Sequence, residues 1–208
     1  MEEILVCPQK IYKFSFPDMD ELKKIKDFVI KENYYKPYTQ HKSKDFSIHK
    51  KEKYSVLFEW IQKCIHQVKQ AEMYDCDNLK ITQAWINKSF RGEELIPHWH
   101  PNSIISGVFY LSDHIVGTDF ALRDNWYVGH ADSPGQSYIR LSTCQEKSMI
   151  IHKVESISGD LILFPASFRH GVDANFSEDI RYTISFNTFP SGNVGIFEDL
   201  TGMSVEVV

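Results

Sequence analysis

Beyond Asn78 the chain stops placing apolar residues at helical intervals and delivers them in short runs broken by turn residues. The runs cover 79–90, 103–111, 117–123, 138–141, 149–155, 161–164, 171–174 and 181–189, and they are rich in β-branched and aromatic side chains. Such runs suit pleated, half-buried strands. Eight short strands cannot each bury a face alone and must close on one another. The fold expected is mainly β, a barrel or sandwich with helices outside it, and a double-sheet jelly roll leads among these.

The preceding residues read as support. An initial strand over 4–16, broken at Pro8-Gln9, leads to a helix capped by Asp18 or Asp20 and running to about Asn33. Leu22, Ile25, Phe28 and Val29 give that helix one apolar face. The polar, lysine-rich segment 34–50 contains Pro37 and reads as a surface loop bordering a cleft. A second helix is expected over 52–74, its stripe formed by Val56, Leu57, Trp60, Ile61, Cys64, Ile65 and Val68. The chain of 208 residues then forms a single domain, with a strand and supporting helices in 1–78 and a jelly-roll core in 79–190.

Composition narrows the function. A net charge of −5 offers no electrostatic reason to bind nucleic acid, and no basic groove with spaced aromatics is visible. The lysines of 41–44 and 49–53 read as a solvated loop and helix start. Cys7, Cys64, Cys76 and Cys144 are too scattered for a Cys-x-x-Cys site, and nothing at the N-terminus resembles a signal peptide, so a reduced, cytoplasmic protein is expected. Charged residues interrupt every apolar run before it could cross a membrane. There is no phosphate-binding glycine loop and no internal repeat.

Chemistry concentrates in two places. His98 and His100 are two apart, so in extended backbone both imidazoles point to one side. His170 follows the strand-like run 159–165 and supplies a third. Three neutral nitrogens suit a redox iron or a zinc while leaving coordination positions open. His41, His49, His66, His114, His130 and His152 lack such a setting and read as structural or solvated. In the run 181–187, Arg181, Thr183, Ser185 and Asn187 share one strand face, opposite Tyr182, Ile184 and Phe186. An inward Arg is costly without an anion, so this face reads as a carboxylate site with a Thr183 or Ser185 hydroxyl as a further donor. The competing reading is a salt bridge from Arg181 to Asp179. Trp85, Trp99, Phe109 and Phe164 read as core or cavity residues, with core the default.

Together His98-x-His100, His170 and Arg181 resemble the signature of the Fe(II)- and 2-oxoglutarate-dependent dioxygenases. The surrounding runs, 84–87, 97–102, 106–111 and 159–165, are similar to a 2-oxoglutarate/iron oxygenase subgroup of marine bacteria and tailed phages. The resemblance spans about 79–189 and implies a double-stranded β-helix. It implies His98, His100 and His170 as metal ligands and Arg181 as the residue holding the 5-carboxylate of 2-oxoglutarate, assisted by Tyr110 or Ser185. The reaction implied hydroxylates a C–H bond and yields succinate and CO2. His100 stands where most of the superfamily has Asp or Glu, so no ligand carboxylate offsets the metal charge. Asp119 and Asp124 are the acids considered for that task, a surface position being the equal alternative.

Two other functions compete. One is a three-histidine cupin-like metalloenzyme that does not use 2-oxoglutarate. The other is a non-catalytic jelly-roll module. The substrate expected is a small polar metabolite or a protein side chain, under a mouth covered by 34–50 and 124–136. An exposed C-terminal 205–208 or an unpaired sheet edge could support a homodimer.

Overall fold

The structure, a computed structural model, describes residues 10–37, 39–123, 149–198 and 201–207. Its order is β1 (Tyr12–Ser15), α1 (Met19–Ile30), β2 (Tyr34–Tyr35), β3 (His41–Ser43), two 3-10 turns (Ile48–Lys50 and Glu52–Tyr54) and α2 (Ser55–Ala71). Then come β4 (Cys76–Ser89), β5 (Leu95–His98), β6 (Ile105–Tyr110), β7 (Val116–Arg123), β8 (Met149–Ser156), β9 (Asp160–Pro165), β10 (Arg169–Val172), β11 (Arg181–Val194) and β12 (Met203–Val205). Eight strands form a major sheet in the order β1-β9-β6-β11-β4-β3-β2, with β12 paired to β11. Four form a minor sheet in the order β5-β10-β7-β8. All named strand pairs are antiparallel. This is the double-stranded β-helix.

Alternation along the strands divides the apolar residues into two cores. Ala84, Ile86, Ile105, Phe109, Leu161, Leu163, Ile184 and Phe186 leave the major sheet on its outer face and meet Leu22, Ile25, Leu57, Ile61 and Ile65 of the helices. Their in-between neighbours, including Val108, Tyr110, Ile162 and Phe164, turn toward the minor sheet and meet Val116, Phe120 and Phe168. Gly107 belongs to the tight outer face: a Cβ there would stand 2.2 Å from Phe186 Cζ. Asp18 caps α1, its side chain accepting from the backbone N–H groups of Asp20 and Glu21.

Several expected elements differ. The segment 34–50 is not a loop throughout: β3 pairs with β4 and β2 with β3, extending the major sheet. Helix α2 starts after a 3-10 turn, Val56 is exposed, and Phe58 takes its place on the buried face. His170 is not at the end of the strand over 160–165; the chain turns at Ala166–Phe168 and His170 lies in β10, in the other sheet. Val205 is paired with Gly192 inside the chain. Expectations for 4–9, 124–136, 138–141, Cys7, His130, Cys144 and Val208 fall outside the described residues.

Candidate metal and cosubstrate site

Between the sheets, at the end where β5 meets β10, three imidazoles converge. His170 pairs with His98 across the β5–β10 ladder, and His100 follows two residues beyond. The ladder is irregular after His170, and Gly171 sits at the irregularity. A Cβ on Gly171 would stand 2.8 Å from the Leu95 carbonyl oxygen, so the missing side chain is what lets β5 approach. One ligand-capable atom from each histidine lies within 4.8 Å of the others.

The second nitrogen of each ring fixes its tautomer. His98 Nδ1 donates to the Ile96 carbonyl at 3.0 Å, and His170 Nδ1 donates to the Phe168 carbonyl at 2.9 Å. His100 Nδ1 donates to Asn187 Oδ1 at 2.5 Å, an oxygen that also accepts from Ser106 Oγ. All three Nε2 atoms are left as lone-pair acceptors. His98 Nε2 and His100 Nε2 face one another at 3.1 Å with no proton to share. Burial pushes His100 down to about 4 and His170 down to about 3, and it lowers His98 as well, so the cluster is neutral at physiological pH. Neutral, preoriented nitrogens facing a common point fit a divalent transition metal: two ligands at about 2.1 Å and at right angles on one ion stand about 3 Å apart.

The same cavity is lined by Arg181, Thr183 and Ser185 from β11, Trp85 and Asn87 from β4, and Gln40 and Lys42 from the β3 side. Arg181 is 5% exposed. It donates to the Asp173 carbonyl at 2.7 Å and, more weakly, to the Glu93 carbonyl at 3.5 Å. No carboxylate among the described residues pairs with it, and Asp179, the partner considered above, is exposed with its backbone carbonyl bonded to Asn175. Burial lowers the guanidinium below its ordinary range, although the Asp173 and Glu93 carboxylates nearby act the other way. Asn87 organises the floor. Trp85 Nε1 can only donate, and it meets Asn87 Oδ1 at 3.0 Å, which fixes the amide's orientation. Asn87 Nδ2 therefore donates to Thr183 Oγ1 at 3.1 Å and Ser185 Oγ at 2.8 Å. Both hydroxyls act as acceptors there and keep their own hydrogens for the cavity.

Not every expected residue arrives. Tyr110 is fully buried between the sheets, its hydroxyl 2.5 Å from Thr118 Oγ1, and it stands behind the wall that Thr118 forms. Asp119 does not approach the histidines. Thr118 and Phe120 face inward, so Asp119 points outward, where Lys153 and Asp173 share its surroundings. Asp124 lies outside the described residues. Phe109 and Phe164 are core, Trp99 is exposed, and Trp85 lines the cavity with its ring stacked 5.9 Å from that of His100. Gln40, Lys42, Asn87 and Thr118 were not singled out from sequence. Asn87 had a signal, alternating with Trp85 on one strand face; Gln40 and Lys42 are brought in only by long-range β3–β4 pairing.

A sequence model of the family described as "Putative 2OG-Fe(II) oxygenase" matches residues 83–187, half of the chain. No curated protein matches at the level of sequence. Among solved structures, the chain is similar to the non-heme α-ketoglutarate-dependent epimerase SnoN of nogalamycin biosynthesis, at 13% identity and a TM-score of 0.65, over 96% of this chain and 86% of that one. HygX from Streptomyces hygroscopicus, solved with nickel, 2-oxoglutarate and hygromycin B, gives 11% identity and a TM-score of 0.62 over 88% and 83%. A Pseudomonas putida prolyl-4-hydroxylase gives 12% and 0.58 over 88% and 94%. At these identities the likeness is one of fold. The family match carries the class, and with it the chain belongs to the 2OG-Fe(II) oxygenases, enzymes that use Fe(II) as cofactor and 2-oxoglutarate as cosubstrate.

Proposed function

We propose that His98, His100 and His170 hold the iron through Nε2, that Arg181 receives the 5-carboxylate of 2-oxoglutarate, and that the enzyme hydroxylates a C–H bond of a small molecule or protein side chain. The observation that carries this is the meeting, in one cavity, of three lone-pair nitrogens and a buried guanidinium with no salt-bridge partner among the described residues. When bound, the iron supplies the oxidative chemistry with O2 that converts 2-oxoglutarate to succinate and CO2.

The chain's own residues do the positioning. Arg181 is already tied to two carbonyls, so its remaining N–H groups are held toward the cavity. Thr183 and Ser185, held as acceptors by Asn87, add hydroxyl donors to the same carboxylate. Tyr110 acts through Thr118, which it fixes from behind. Val108, Leu95 and Val172 complete the wall and exclude water around the anchored cosubstrate. The family match sets this reading ahead of the cupin-like and non-catalytic ones.

We read the chain as a single domain, because α1 and α2 share one core with the major sheet. We place it in the cytoplasm, where the buried, unbridged thiols of Cys64 and Cys76 are stable. No described helix is long and apolar enough to cross a membrane. A homodimer formed at a sheet edge belongs to the same reading.

The test is O2-dependent conversion of 2-oxoglutarate to succinate by iron-reconstituted protein. His170→Ala is expected to abolish it, and Arg181→Ala to raise the KM for 2-oxoglutarate at least tenfold, as the loss of a charge-assisted carboxylate contact does. Succinate formed equally by wild type and both variants would overturn the assignment.

A further inference from the structure

Lys42 has no part in the chemistry described so far, yet it lines the same cavity as the three histidines. Its position is a consequence of pairing: in β3 it stands opposite Asn87 of β4, and in antiparallel sheets opposite residues share a face. Its ammonium lies over the Trp85 ring at 5.6 Å from the centroid. No described carboxylate reaches it, and burial alone lowers its proton affinity, with nothing acidic offsetting the desolvation. Arg181 sits on β11, beyond β4 from Lys42, so the two strands are about 10 Å apart at ordinary strand spacing. Lys42 lies over the indole of Trp85, whose other neighbour is the stacked His100 ring, whereas Arg181 is tied to the carbonyls of Asp173 and Glu93. The two cations therefore serve different parts of the cavity.

Charge counting gives this separation a meaning. Among the described residues the lining holds Arg181, Lys42 and three imidazoles, and no Asp or Glu. A divalent metal joins two protein cations there, while 2-oxoglutarate brings two negative charges, both committed at the metal and Arg181. Positive charge is left over in a partly desolvated space, and it is centred on the side where Lys42 stands. We infer that the primary substrate is an anion whose carboxylate or phosphate group is received by Lys42, against Trp85 and beside His98 and His100. The inference rests on the oxygenase reading and adds the chemical class of its substrate. Trp85 contributes a flat apolar wall next to the anion's carbon skeleton, and Asn87 holds that indole in place through its N–H.

The experiment uses full-length protein loaded with Zn(II), which does not turn over, and reads binding by calorimetry. First 2-oxoglutarate is titrated into wild type, Lys42→Met, Lys42→Arg and Arg181→Met; then inorganic phosphate and N-acetylglycine are titrated into each loaded protein. Met keeps an apolar stem over Trp85 without the charge. The expected result is that wild type binds at least one of the two anions. Lys42→Met then weakens that anion about tenfold or more, Lys42→Arg preserves it within about threefold, and which anion binds separates phosphate from carboxylate. The 2-oxoglutarate affinity is expected to stay within about threefold in Lys42→Met while falling at least tenfold in Arg181→Met. Equal anion binding by wild type and Lys42→Met, or none by wild type, overturns the inference. So does a loss of 2-oxoglutarate affinity in Lys42→Met as large as in Arg181→Met, which would make Lys42 a cosubstrate ligand. Failure of wild type to bind 2-oxoglutarate at all would sink the oxygenase reading itself, and this is seen in the first titration, before any anion is added.

Discussion

Asn187 shows how much of the site rests on single polar atoms. Its Oδ1 accepts from His100 Nδ1 and from Ser106 Oγ, so it orients the ring proposed as the third ligand. Asn187→Ala should weaken metal binding about 10- to 100-fold while leaving the fold intact, as measured by competition with a chromophoric chelator. An unchanged affinity would show that His100 is not a ligand. The same burial that readies the imidazoles for metal works against the empty protein in acid. Unfolded histidines titrate near 6.5, whereas burial holds His100 at about 4 and His170 at about 3. Between these values the unfolded chain takes up protons that the folded one refuses, so metal-free protein should lose stability as the pH falls below about 6.5. Urea midpoints between pH 8 and 4 test this, and the slope should flatten in His170→Gln. Arg181 was legible as a polar residue on an alternating strand face, and the histidines as a pair two apart with a third after the run 159–165, although His98 ends β5 and His100 lies beyond it. Tyr110 could not be placed, since an alternation pattern gives its face and not which atom its hydroxyl meets.

Among the elements, β5 and β10 bring His98 and His170 face to face and the helices do not. Gly171 lies close against β5, and a methyl group there would push against the Leu95 backbone. Gly171→Ala should therefore displace the strand carrying His98 and weaken metal binding, with destabilisation of about 1–3 kcal/mol. Gly107→Ala meets Phe186 and Leu163 on the helix-facing side, so it should cost similar stability and spare metal affinity. Chemical denaturation combined with zinc titration separates the two effects; equal losses of metal affinity would contradict the assignment of the site to β5 and β10. At this scale, apolar and β-branched runs bounded by turns located most of β4, β6, β7, β8, β9 and β11, including β6 and β9, which are buried on both faces. They missed β5 and β12, and also β2 and β3, short polar strands that owe their existence to the pairing of β3 with β4 and of β2 with β3 rather than to any pattern of their own. That is why Gln40 and Lys42 went unseen as cavity residues while the neighbouring histidines did not.

For the molecule as a whole, the two-layer arrangement assigns stability and chemistry to different faces of one sheet. The outer face of the major sheet packs on α1 and α2, and the inner face carries Asn87, Thr183, Ser185 and Arg181 into the space shared with the minor sheet. The jelly-roll class was legible because two helices followed by many short strands admit few closed arrangements. The order of strands was not, because β5 and β10 meet over seventy residues of intervening chain. The central claim is that the three histidines and Arg181 hold iron and 2-oxoglutarate together, and the most direct measurement is an anaerobic titration of metal-stripped protein. Fe(II) is added first and 2-oxoglutarate second, and the visible charge-transfer band of a chelated 2-oxo acid is followed in wild type and Arg181→Ala. A saturable band that requires both components and needs at least tenfold more 2-oxoglutarate in the variant is the predicted result. Tight Fe(II) binding with no band, or a band indifferent to Arg181, would contradict it.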